Sequence, residues 1–116
     1  MVGVVKGRKS GSGLFKPPRH KWIADIVSFE NPKEAREAAK RLVRALERGR
    51  IGKRKVGKRT ALTIARALNY AANRAEASAK RKGLSSEERK ELREIAKIYR
   101  EAAEEAFEIY REEYRE

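Results

Sequence analysis

Apolar residues recur at helical spacing in three separate stretches of this chain. In the first, Ala35, Ala38, Ala39, Leu42, Val43 and Leu46 share one face of a helix. Its start is written in Asn31 as N-cap, Pro32 at the first helical position and Glu34 at the third, able to return a hydrogen bond to the cap. Its end falls near Arg48, where Gly49 follows. In the second stretch, Ala61, Ile64, Ala65, Leu68, Ala71, Ala72, Ala75 and Ala79 form a narrow stripe of small residues. This predicts a long helix from about Lys58 to Lys82, stopping before Gly83. The third stripe runs through Leu92, Ile95, Ala96, Tyr99, Ala102, Ala103, Ala106, Phe107, Tyr110 and Tyr114. Ser85 with Glu88 three residues on marks its start, and the helix has room for roughly 30 residues.

Ahead of these helices, Trp22, Ile23, Ile26, Val27 and Phe29 predict a short element that anchors what precedes it. The fold class expected is all-α: a basic, extended N-terminal arm plus about three helices, the last two long. A chain of 116 residues supports one structural domain. Three regions divide it: an arm and anchor over 1–30, basic helices and a loop over 31–83, and an acidic amphipathic helix over 84–116. The first helix has only Leu42, Val43 and Leu46 as large apolar residues, and the second only Leu62, Ile64 and Leu68 near its stripe. So thin a core predicts that a second subunit completes the apolar surface, in a helical-bundle dimer. The acidic helix is expected to face outward or to meet a neighbouring copy.

Charge sharpens this division. Residues 1–83 hold 23 Lys or Arg against 6 Asp or Glu, and residues 84–116 hold 7 against 11, so a net +13 separates into +17 and −4. Segregation of this kind is the footprint of a polyanion met by one part of the fold. The arm contributes Lys6, Arg8, Lys9, Lys16, Arg19 and Lys21 with no acid, spaced by glycines and by Pro17-Pro18, which favour an extended path. The first helix adds Arg36, Lys40, Arg44 and Arg48, one every four residues; they either meet phosphate or form a solvated face paired with Glu37 and Glu47. Arg50, Lys53, Arg54, Lys55, Lys58 and Arg59 then place six cations in ten residues, again without an acid. Phosphates relieve the self-repulsion of such a loop, because each one neutralised releases counterions. Arg66 and Arg74 lie outside the alanine stripe and complete the candidate nucleic-acid contacts.

Several chemistries find no residues to carry them. Cysteine is absent, which removes disulfides and thiolate metal sites. The single histidine, His20, sits in the arm and supplies one metal ligand where several are needed. Gly7-Arg8-Lys9-Ser10-Gly11-Ser12-Gly13 lacks the leading strand and the Gly-Lys-Ser/Thr ending of a phosphate loop. No enzyme and no cofactor is expected. No apolar run reaches the roughly 20 residues of a membrane span, and the first residues lack the apolar stretch of a secretory signal, so a soluble chain is expected. Glutamine is absent and Glu, Lys and Arg dominate, a balance that points to a hot environment.

The order of these features resembles the major coat proteins of filamentous and rod-shaped archaeal viruses. The likeness is carried by the basic arm from Gly7-Arg8 to Lys21-Trp22, by Phe29-x-Asn31-Pro32 opening a helix with Ala35, and by Leu62-Thr63-Ile64-Ala65-Arg66-Ala67-Leu68-Asn69. The chain departs from the family in its higher charge and its longer, more acidic last helix. The resemblance implies a virion protein that wraps linear double-stranded DNA in the A form. Its partners would be that DNA and a second coat subunit, identical or paralogous, with membrane contact only if the virion is enveloped. Binding through phosphates, indifferent to sequence, is what a coat needs, because it must accept an entire genome. An archaeal chromatin protein or a ribosome-associated RNA binder would share the basic loops and alanine-rich helices, and stands as the alternative.

Overall fold

The computed structural model describes residues 21–114. Its elements are α1 (Lys21–Ile26), α2 (Pro32–Arg48), a two-stranded hairpin of β1 (Arg50–Ile51) and β2 (Arg54–Lys55), α3 (Lys58–Ala79) and α4 (Ser86–Ile109). A π-helical turn, Tyr110–Tyr114, extends α4. The chain is mostly helical, as the apolar spacing predicts; the hairpin is the addition.

Local signals act largely where they stand. The Asn31 side chain accepts from the Glu34 N–H at 2.8 Å and caps α2. Glu34, expected to bond back to the cap, instead accepts from the Ser28 hydroxyl at 3.2 Å. Ser28 is brought there by Tyr99, whose hydroxyl accepts from the Ser28 N–H at 2.9 Å and donates to its carbonyl at 2.6 Å. At the start of α4 the capping box is complete, with Glu88 N–H donating to Ser85 Oγ at 3.0 Å and Ser85 N–H to Glu88 Oε1 at 2.9 Å.

Helix α3 ends at Ala79, three residues short of the predicted Lys82. Arg89 explains the early stop: it reaches back from α4 to donate to the carbonyls of Ala79 and Arg81, each at 2.9 Å. Those bonds serve carbonyls that a continued helix would have occupied. Gly83, at φ +88°, then reverses the chain.

Helix α4 is the middle of the molecule. It packs along α3 and also against α2, while α2 and α3 meet only at their margins. Arg100 bonds Asn73 and Glu76 while Arg89 bonds Ala79, so α3 and α4 run antiparallel. Helix α4 is therefore the element on which the other two rest, and its exposed face carries Lys90, Arg93 and Lys97 among the glutamates. Alanine makes this possible: Ala61, Ala65, Ala72 and Ala75 of α3 and Ala102, Ala103 and Ala106 of α4 are buried, so the two backbones approach closely. Between them and α2 fit a few large side chains, Tyr99, Leu42, Leu46, Ile64, Leu68 and Ile95.

Close packing of small residues buries much of each apolar stripe within one chain. Among the described residues, Tyr70 is the one large hydrophobic side chain left exposed. No described helix is long and apolar enough to cross a membrane.

Candidate nucleic-acid interface

The stretch Arg50–Arg59, read from sequence as a free loop, is partly ordered. Gly49 ends α2 in the left-handed region at φ +75°, its N–H bonded to Ala45 O at 2.9 Å. Its own carbonyl accepts from Val56 N–H at 2.9 Å. Between these points β1 and β2 pair antiparallel, Arg50 opposite Lys55 and Ile51 opposite Arg54, around a two-residue turn. Gly52 takes the first turn position at φ +58°, which primed hairpin turns require and β-branched residues resist. Val56 is buried and pins the base of the hairpin; Arg50, Lys53, Arg54 and Lys55 are exposed. Charge repulsion among them is insufficient to melt the hairpin, because the glycines and Val56 hold its ends.

The hairpin is also held at its side. The Arg54 guanidinium lies 5.1 Å from the centroid of the Trp22 ring, tying β2 to α1. At the end of α2, Tyr114 from the last turn donates to Leu46 O at 2.6 Å, beside Gly49. Burial raises the Tyr114 hydroxyl above its ordinary pKa, and the neighbouring Glu113 carboxylate adds to this.

Against the hairpin, Lys40, Arg41, Arg44 and Arg48 of α2 line an open groove of about 310 Å³, together with Glu37, Ile51 and Gly52. Four cations of α2 are thus continuous with those of the hairpin. Arg41 was missed by the every-fourth spacing; the triplet Arg41, Arg44 and Arg48, at i, i+3 and i+7, would have found it. Arg36 goes elsewhere, 3.1 Å from Glu94 of α4, with both side chains about half exposed (59% and 46%). A pair so open to water adds little stability.

Lys58 and Arg59 begin α3 directly after the hairpin, and Arg66 and Arg74 continue along its exposed side. The Arg74 guanidinium lies 5.9 Å from the Phe29 ring. From Arg48 to Ala75 the chain holds nine cations and no acid. Glu76, the first acid after this span, is taken up by Arg100 at 2.8 Å. Among the described residues, no hairpin cation takes part in an ion pair. The end of α2, the hairpin and α3 thus carry exposed cations along one acid-free stretch of chain.

Of the arm's candidates, Lys6, Arg8, Lys9, Lys16 and Arg19 lie outside the described residues, as does His20; Lys21 opens α1. Among the described residues, no three His, Cys, Asp or Glu side chains gather as metal ligands. Compared with protein-family models, curated proteins and solved structures, the chain finds no match.

Proposed function

We propose that this protein is a structural DNA-binding coat protein that wraps linear double-stranded DNA into a helical filament through phosphate contacts. The observation that carries this reading is the acid-free span from Arg48 to Ala75, exposed on α2, the hairpin and α3. Nine cations with no acid among them are electrostatically costly unless an anionic polymer lies against them, and release of its counterions favours the union. Arginine and lysine aimed at phosphates read backbone shape and leave sequence unread, which suits a coat. A-form DNA brings phosphates together across a deep, narrow major groove, where a dense cationic lining offsets their repulsion.

Assembly in this reading draws on the exposed acids of α4. Glu87, Glu91, Glu101, Glu104, Glu105 and Glu108 of α4 point to solvent and offer a complementary surface to the cations of a neighbouring subunit, identical or paralogous. In this reading the working form is a filament on DNA within a virion.

Negative-stain electron microscopy of the purified protein on linear duplexes of two lengths tests the proposal. Filaments of constant width whose length scales with the DNA are expected. Bare DNA or irregular aggregates, or saturation of a structured RNA by one or a few copies, would sink it in favour of a cellular chromatin or RNA-binding role.

A further inference from the structure

Tyr70 is 66% exposed on α3, the one large hydrophobic side chain so placed among the described residues. A lone exposed apolar residue is ordinary. Its surroundings are not. Arg66 and Arg74 stand one turn before and after it, and Asn73 lies beside it at i+3. The two arginines are about 12 Å apart along the helix axis. No acid occupies this ridge, and Glu76 on its flank is neutralised by Arg100. The ring therefore stands on the helix between two arginines, Arg74 with its guanidinium 5.9 Å from the Phe29 ring, on a ridge that favours negative charge.

Two anionic partners could meet such a ridge. The outer face of α4 on a second copy offers carboxylates to the arginines, but the apolar residues of α4 are turned inward, leaving the ring without a counterpart. A nucleic-acid strand offers phosphates to the arginines and a base face to the ring. In a duplex the base faces are already stacked on one another, so only unpaired bases can meet the ring face to face. Stacking of this kind accepts any base, because each has a π-face.

We infer that Arg66, Tyr70 and Arg74 form a stacking site for unpaired nucleobases, distinct from the duplex-facing hairpin. The inference rests on the nucleic-acid reading proposed above and extends it to single-stranded nucleic acid. Tyr70 packs on the base, and the two arginines neutralise the phosphates that flank it.

Fluorescence anisotropy with the full chain and labelled strands of roughly 16 nucleotides, oligo(dT) and oligo(rU), beside a duplex of the same length, tests this. Tyr70→Leu keeps apolar bulk on an exposed position and so leaves the fold intact. It is expected to lose about tenfold or more in single-strand affinity with duplex affinity unchanged, while Tyr70→Trp retains binding. Loss on oligo(dT), on oligo(rU) or on both supports the site and identifies the strand it takes. Unchanged single-strand affinity overturns it, as does an equal loss on duplex. A change in sedimentation without a change in single-strand affinity also overturns it, and assigns Tyr70 to a subunit contact. Lys53→Ala, Lys55→Ala and Lys58→Ala combined separate the two readings. If this variant weakens duplex binding while Tyr70→Leu changes nothing, the stacking site alone fails; if the unaltered chain binds neither duplex nor strand, the nucleic-acid reading itself fails.

Discussion

Tyr99 holds the entry to the helical body by two hydrogen bonds to one residue, Ser28, and packs its ring 5.8 Å from that of Phe29. Its hydroxyl is the main polar partner available to the Ser28 backbone in a largely covered place. Tyr99→Phe keeps the ring and strips both bonds, so a loss of about 1–3 kcal/mol is expected in urea unfolding. Burial raises the Tyr99 pKa above 10.0, opposed only in part by the Ser28 N–H, and Tyr114 is raised as well. A raised pKa means that the folded state keeps the proton longer than the unfolded chain. The stability tied to these hydroxyls is therefore whole below about pH 10 and is lost as pH rises through their folded values. Thermal melts stepped upward from there should fall in the parent, and fall less in Tyr99→Phe.

Among the elements, the α3–α4 pair depends on smallness. Ala72 is fully buried between the two helices, and Ala77 on the same helix is exposed. Ala72→Leu should push the backbones apart and cost about 1–3 kcal/mol. Ala77→Leu should change stability by no more than about 0.5 kcal/mol. Equal effects in chemical denaturation would show that the stripe is not an intimate contact. The hairpin makes a different kind of demand, since its cations hold no fold together apart from Arg54 against Trp22. Replacing Lys53, Lys55 and Lys58 by alanine, with Arg54 kept, should leave the melting temperature in place. The dependence of duplex affinity on salt should then flatten by about 0.9 in log–log slope for each phosphate contact removed. An unchanged slope would assign those lysines to solvent.

For the whole molecule, the described helices cover most of their own apolar stripes, so charge is what association between copies mainly has to draw on. Such contacts are screened within about 3 Å at 1 M salt. Sedimentation of the free protein should accordingly show any oligomer at low ionic strength dissociating as salt is raised. An assembly that persisted in about 1 M salt would require a hydrophobic interface that the described residues do not expose.

The linear sequence determined the three main helices, two of the side-chain caps that start them, the acid-free cationic run and the acidity of the last helix. These rest on spacing, on side chains that bond a backbone three residues away, and on charge, all local properties that survive without knowledge of the fold. The tertiary structure alone decided where α3 stops, because the deciding Arg89 comes from the next helix. It also decided that Glu34 serves Ser28, that α4 lies between its neighbours, and that Arg41 joins the hairpin's groove while Arg36 turns to Glu94. The hairpin had a local hint in Gly52, but its stability comes from Val56 in the core and Trp22 beneath Arg54. Tyr70 stands between the two classes: the spacing leaves it outside the stripe of α3, but only the packing of α3 on α4 decides that nothing else in the fold covers its ring.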